Sequence, residues 1–98
     1  MASGAVRRAR GTFTGTGASL DILTIGFRPS IVRLYNRAGN VAYWSDCMAD
    51  AAMHKRTNAG AGSFVTANGV TPLATGFRLG ADTDLNVAAE VVDWEAMD

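Results

Sequence analysis

The chain has 98 residues and no formal net charge, because nine Lys and Arg residues balance nine Asp and Glu residues. A chain of this length forms one small domain, and its core is thin because 17 of its residues are Ala. The balanced charge argues against a nucleic-acid-binding protein, and no apolar run approaches the length of a membrane-spanning helix. A single Cys47 rules out an internal disulfide and is typical of a protein made in a reducing cytosol.

The charges are distributed unevenly along the chain. Residues 1–37 hold six Arg and a single acid, Asp21, whereas residues 38–98 hold eight acids against Lys55 and two Arg. Two interpretations stay open at this point. Either the two halves pair within one fold, or the basic half faces an acidic partner.

The first residues, MASGAVRRARG, carry the densest basic cluster and lack the apolar stretch of a secretory signal. We expect residues 1–10 to form a basic arm ahead of a single β domain, residues 11–98. Arginines crowded at a terminus favour anionic neighbours, so we expect an acidic partner surface to contact three of them: Arg7, Arg8 and Arg10.

In chain order, the predicted elements are strands joined by turns. Alternation of side chains predicts strands in VRRARGTFTG, SLDILTI, IVRLYNR and NVAYW, and the RAGN turn with Gly39 suits a hairpin between the last two. Asn68-Gly69, inside GSFVTANGVTPL, is the strongest hairpin signal, and LNVAAEVVDWEAM ends the chain with β-branched and aromatic residues. Turn signals about every 8 to 12 residues predict an all-β fold, an antiparallel β-sandwich or a jelly-roll-like barrel.

One stretch, SDCMADAAMHKR, allows two structures. Ser45 suits a helix N-cap, and Met48, Ala52 and Met53 would share one face, so a short helix around residues 46–56 is one prediction. A long ordered loop that ends in a strand through AMHKRT is the other.

The tripeptide Gly-Phe-Arg occurs twice, in LTIGFRPS and LATGFRLG. In a β domain, Gly permits a sharp corner and the next side chain can fill the core. We therefore interpret Gly26-Phe27 and Gly76-Phe77 as two strand corners with buried rings, and we assign them no ligand.

The sequence offers little catalytic or metal-binding chemistry. His54 is the only histidine, and a triad of Ser45, Asp46 and His54 has no supporting motif. The DTDLN stretch imitates the start of a calcium loop but has Val87 where such a loop needs Gly, so polar turn residues explain it better. Cys47 lacks a basic neighbour, which favours a buried or half-buried structural thiol. We expect no enzyme, no cofactor and no metal site.

The two tryptophans can serve the core or a contact surface. Core packing is the default for Trp44 and Trp94 in so small a domain. Trp94 is the better candidate for a capsid or subunit contact, because it lies near the end of the chain among acidic residues.

Over about residues 11–96 the chain resembles head decoration (cement) proteins of tailed bacteriophages, and it is also similar to β-rich modules of phage tail fibres. The resemblance rests on the order and spacing of short motifs: Gly26-Phe27-x-Pro29, Trp44, Met48, Asn68-Gly69-Val70, Gly76-Phe77-x-Leu79-Gly80-x-Asp82, Asn86 and Trp94-x-Ala96. The chain departs from the pattern at Ala88-Ala89, where a Gly-containing turn is usual.

This resemblance implies a structural protein made in the host bacterial cytoplasm that binds the phage major capsid protein on the outer surface of the head. The implied mechanism is buried area summed over many copies, with no nucleic acid and no membrane involved. Decoration proteins imply a homotrimer, which the opposite charges of the two halves would favour through head-to-tail contacts. A receptor-contacting or structural module of a tail fibre is the alternative function.

Overall fold

The computed structural model describes residues 7–98, which form a single antiparallel sheet of eight strands. The strands are β1 Arg8–Thr14, β2 Leu20–Ile22, β3 Ile31–Asn36, β4 Val41–Ser45, β5 Ala52–Arg56, β6 Gly62–Leu73, β7 Gly76–Leu79 and β8 Val91–Met97. Their order across the sheet is β1-β8-β3-β4-β5-β6-β7-β2, and the sheet curls into a half-barrel. The predicted all-β class is confirmed, and a single curled sheet is closer to the barrel than to the sandwich.

The two faces of the sheet follow from the alternation of side chains along each strand. On β3, Val32 and Leu34 are fully buried, whereas Tyr35 is exposed. Across the strands, Leu34 lies opposite Trp94 on one side and Ala42 on the other, so residues of the same row share the inner face. The core fills the concave side, and no helix of residues 7–98 is long and apolar enough to cross a membrane.

The connection between β7 and β8 covers one end of the half-barrel. Its Leu85 is fully buried, and three buried asparagines hold it in place: Asn36, Asn40 and Asn86. The side-chain amide of Asn36 donates to the Asp84 carbonyl at 2.9 Å, and that of Asn86 donates to the Gly80 carbonyl at 3.0 Å. Such bonds offset the cost of burying amide groups, so this end of the molecule is ordered by side-chain hydrogen bonds.

The turn between β3 and β4 is the hairpin that RAGN predicts. Asn36 donates its backbone N–H to the Asn40 carbonyl, and Gly39 adopts a φ of 108°. A positive φ of this kind is accessible to Gly at little cost, which explains the residue.

The hairpin predicted at Asn68-Gly69 is wrong. Both residues lie inside β6, which pairs with β5 through its first half and with β7 through its second. Asn68 has a φ of 61°, and the register jumps there, so that Ala52 faces Val70 while Met53 faces Val65. The dipeptide, with a positive φ at Asn68, therefore lies at an irregularity in the ladder, where one long strand passes from one partner to the other.

The stretch from Ser45 to Arg56 is a loop followed by a strand, the second of the two predicted structures. Two successive turns occupy residues 46–51, and β5 begins at Ala52. Ala51 has a φ of 67°, which ends any right-handed helical path. Trp44 donates its indole N–H to the Ala49 carbonyl at 3.2 Å, and this bond fixes the loop against the core.

The two Gly-Phe-Arg copies lie side by side. Gly26 donates its backbone N–H to the carbonyl of Thr75, the residue before Gly76. The two positions require Gly for different reasons. Gly26 has a φ of 86°, whereas at Gly76 a Cβ would lie 1.7 Å from the Ile22 carbonyl oxygen. Phe27 and Phe77 both lie in the core.

The opposite charges of the two halves pair within the chain. Strand β8, which carries acids, lies between β1 and β3, which carry arginines. The ion pairs that join the halves are Arg7–Asp98, Arg33–Glu95, Arg37–Asp93 and Asp21–Arg78. Three of the six arginines of the first half thus pair within the fold, as the first interpretation expects, whereas Arg8, Arg10 and Arg28 form no ion pair among residues 7–98.

Candidate binding surfaces

An exposed aromatic surface covers the outer side of strands β3 to β6. We call it the aromatic face, and it consists of Arg33, Tyr35, Val41, Tyr43, His54, Arg56 and Phe64. Cross-strand pairing aligns these residues, because Arg33 lies opposite Tyr43 and His54 lies opposite both Tyr43 and Phe64. Four of the five large apolar side chains that are exposed among residues 7–98 lie here.

Contacts between neighbouring strands hold the rings of the aromatic face. The His54 and Phe64 rings have centroids 4.8 Å apart and an interplanar angle of 57°. The Arg33 guanidinium carbon lies 5.9 Å from the centroid of Tyr43. Such tilted and cation–π contacts favour defined ring positions, so the face is preorganised although Phe64 is 49% exposed.

The aromatic face carries positive charge and forms a shallow groove of about 550 Å³. Arg33 contacts Glu95 at 3.4 Å, but no carboxylate of residues 7–98 lies within 4 Å of Arg56. Exposed aromatic groups beside an arginine without a counter-charge are typical of protein contact surfaces.

The second surface is the gap between the two edge strands, β1 and β2, which we call the seam. Its groove has a volume of about 390 Å³ and is lined by residues 9–12, residues 21–24 and Trp94. Trp94 is only 6% exposed, and its ring packs edge-on against Phe77 at 5.9 Å. Its ring therefore belongs to the core and also forms the floor of the seam.

The arginines predicted to contact a partner take different positions. Arg7 pairs with Asp98 at 2.7 Å and lies over the Phe27 ring, so its charge is used within the chain. Arg8 and Arg10 belong to β1, where their side chains are exposed beside the seam. The predicted arm, residues 1–10, thus includes the first three residues of the sheet, and residues 1–6 lie outside the described residues.

The DTDLN stretch binds a lysine of the same chain. The Lys55 ammonium lies 2.9 Å from an Asp82 carboxylate oxygen and 2.8 Å from one of Asp84. The other Asp82 oxygen accepts the backbone N–H groups of Asp84 and Leu85. Lys55 thus supplies the positive charge at the two carboxylates, and among residues 7–98 no cluster suited to a metal ion occurs.

Lys55, Asp82 and Asp84 form an ion triad, which determines the charge state of Lys55. Burial favours the neutral amine and acts to lower its pKa, but hydrogen bonds to Asp84 and Asp82 outweigh burial, and the pKa of Lys55 is raised above its ordinary value. At the surface, the hydrogen bond from Arg78 lowers the pKa of Asp21, and that from Arg37 lowers the pKa of Asp93.

Two residues considered for chemistry lie at the surface. Cys47 is exposed, so the prediction of a buried or half-buried thiol is wrong. Cys47 lies in the turns of residues 46–51, which follow β4. His54 belongs to the aromatic face, where its ring contacts Phe64.

The aromatic face is not among the features that the sequence predicts. The signal in the sequence was the presence of large apolar residues at outward strand positions, namely Tyr35 on β3 and Val41 and Tyr43 on β4. The strand order that brings these positions next to His54 and Phe64 cannot be read from the local pattern.

A scan against protein-family models, a search of curated proteins and a search of solved structures each found no match to the chain.

Proposed function

We propose that the chain is a decoration protein of a tailed-phage head, which binds the major capsid protein through its aromatic face and stabilises the shell without catalysis. The observation that carries the proposal is the contiguous, preorganised aromatic face, which holds four of the five large apolar side chains exposed among residues 7–98. The motif resemblance supports the phage context, and it favours the outer surface of the head as the location of the protein.

The physical mechanism is association of surfaces. Aromatic side chains are common among the hot spots of protein contacts, and Tyr43 and Phe64 are exposed rings on either side of His54 in this face. Each copy would add a modest contact area, and many copies on a symmetric shell would add up to a large stabilisation.

The test uses purified, tail-less heads of the phage that encodes the chain. We expect the double variant Tyr43→Ser/Phe64→Ser to bind heads at least about 100-fold more weakly, since two hot-spot rings contribute on the order of 2 kcal/mol each. Leu23→Ser is the matched control, because Leu23 is 53% exposed but lies outside the aromatic face. Cosedimentation with heads gives the affinity, and circular dichroism verifies that each variant is folded.

Two outcomes would contradict the proposal. One is head binding by the Tyr43→Ser/Phe64→Ser variant that is no weaker than that of the Leu23→Ser control, which would show that the aromatic face is not the contact. The other is binding of the protein to isolated tails and not to heads, as expected for a tail-fibre module.

A homotrimer on the shell is part of the same proposal, but its basis has changed. A head-to-tail contact between subunits needs free charges on both halves, and Arg33, Arg37 and Asp93 are paired within the chain. The expectation now depends on the resemblance alone. A reconstructed virion tests it, because separated single copies on the shell would refute the trimer.

A further inference from the structure

We propose that the seam binds an extended acidic segment of a partner protein, which adds a strand between β1 and β2. The inference goes beyond head docking through the aromatic face and does not depend on it. Among residues 7–98, β1 pairs only with β8 and β2 only with β7, so each has a free edge. The curl of the sheet places both free edges on one groove.

The backbone of β1 shows which groups face the seam. At its two ends, Asp98 donates its N–H to the Arg7 carbonyl, and Gly15 donates its N–H to the Glu90 carbonyl. In an antiparallel ladder, every second residue forms hydrogen bonds with the neighbouring strand. The backbone N–H and C=O groups that face β8 are therefore those of the odd-numbered residues from Arg7 to Gly15. The residues whose N–H and C=O groups face the seam are Arg8, Arg10, Thr12 and Thr14.

The edge of β2 is free in the same way. The Ile22 carbonyl points towards β7, since a Cβ on Gly76 would lie 1.7 Å from its oxygen. By alternation, the backbone groups of Asp21 face the seam. An inserted strand would therefore find donors and acceptors on both sides, which is the geometry of β-strand addition.

The floor of the seam limits the inward side chains of a ligand. Gly11 carries no side chain, and a Cβ there would lie 3.0 Å from the Trp94 ring. Ala9 is the preceding inward residue and is also small. No large side chain of residues 9–12 covers the ring of Trp94, so the floor of the seam offers an apolar surface to an inward side chain such as Val.

The outer rim of the seam selects for negative charge. Arg8 and Arg10 are exposed, and neither forms an ion pair within 4 Å among residues 7–98, although Glu95 lies opposite Arg10 on β8. On the opposite rim, the Asp21 carboxylate is already bound by Arg78 at 2.7 Å. Side chains directly opposite on neighbouring strands interact, so acidic residues at the outward positions of the ligand would pair with the two arginines.

A second copy of the chain fits the seam less well than an acidic segment. Pairing of β1 with β1 of another copy would bring two further arginines, Arg8 and Arg10 of the second copy, to the same edge. Like charges on neighbouring strands repel each other, and this repulsion disfavours the dimer.

The experiment uses a synthetic peptide of about eight residues in which Val and Glu alternate, long enough to span an average strand. Titrated into the ¹⁵N-labelled full chain, it should shift the amide signals of Arg8, Arg10 and Thr12. It should also slow their hydrogen exchange, because these amides gain hydrogen-bond partners.

A matched pair of variants at Thr12 isolates the strand addition. Thr12→Pro removes a seam-facing N–H that bonds no strand in the free protein, so the sheet should tolerate it. Thr12→Val keeps the N–H and has nearly the same shape. We expect Thr12→Pro to weaken peptide binding about tenfold or more and Thr12→Val to leave it unchanged, with both variants melting near the wild-type temperature.

The charge of the ligand is tested separately. A peptide of alternating Val and Lys should not bind, and Arg8→Ala/Arg10→Ala should weaken binding of the Glu peptide, whereas Arg37→Ala outside the seam should not. Absence of amide shifts with the Glu peptide, or equal binding of the Lys peptide, would overturn the proposal. So would a dimer in sedimentation that Thr12→Pro dissolves, since the occupant would then be a second copy. None of these results alters head binding through the aromatic face.

Discussion

Removal of the Lys55 ammonium is the most informative single perturbation of this fold. Lys55 lies on the inner side of β5, where its side chain is 12% exposed, and it bridges Asp82 and Asp84. Lys55→Met keeps the length and most of the apolar stem but removes the charge. Asp82, which is 5% exposed, would then be a buried carboxylate without a counter-charge.

The expected magnitude follows from this burial. Breaking a buried ion pair by removing one partner costs about 3 to 5 kcal/mol, because the other charge stays desolvated. The total stability of a small domain is about 5 to 15 kcal/mol, so Lys55→Met should lose a large share of it. The more exposed Asp84 retains water and should contribute less to the loss.

Denaturant unfolding followed by tryptophan fluorescence measures this loss, because Trp44 and Trp94 are both buried. The double variant Lys55→Met/Asp82→Asn should recover part of the stability. An amide at position 82 carries no charge, and its oxygen can still accept the N–H groups of Asp84 and Leu85. A cost below about 1 kcal/mol for Lys55→Met would refute the reasoning, as would a double variant less stable than the single one.

Three further predictions concern the core, the backbone and pH. Phe77→Ala should cost about 3 to 5 kcal/mol in denaturant unfolding, because the ring is fully buried against Trp94, and a cost near zero would contradict its core role. Ala89→Gly should stabilise the protein by about 0.5 to 1 kcal/mol, because Ala89 has a φ of 67°, which Gly adopts without strain. The control Ala88→Gly should not stabilise it, and calorimetry compares the unfolding of the two variants. The pKa of Lys55 is raised above 10.5, so its ion triad contributes fully below that pH and is lost as pH rises through the higher folded-state value. The stability difference between wild type and Lys55→Met should therefore shrink in alkaline solution, and a difference that grows there would contradict the triad.

Local patterns in the sequence predicted the parts of the fold that depend on neighbours in the chain. The hairpin at Gly39 needs only a turn residue between two alternating runs, and Phe27 and Phe77 follow glycines at corners. Asn68-Gly69 has the same local signal as a hairpin, but each half of β6 finds a different partner strand, and the dipeptide lies at an irregularity in the ladder.

The parts that could not be predicted depend on contacts between distant residues. The amide of Asn36 reaches the carbonyl of Asp84, 48 residues away, and no spacing in the sequence indicates that bond. The ion triad of Lys55 and the aromatic face likewise depend on the strand order. The structure shows that the exposed positions of four strands, from Tyr35 on β3 to Phe64 on β6, form one surface.

The charge asymmetry of the chain follows from this strand order and is not in itself a sign of a partner. Strand β8 lies between β1 and β3, so acids on β8 are placed against arginines from the first half of the sequence. The charges that inform about partners are those left over after this pairing. Among residues 7–98, the charged side chains outside every ion pair include Arg8 and Arg10 at the rim of the seam and Arg56 on the aromatic face. The others are Arg28, Asp46, Asp50 and Glu90, which belong to neither surface. Both surfaces therefore favour acidic ligands, and salt should weaken binding at each of them through these arginines.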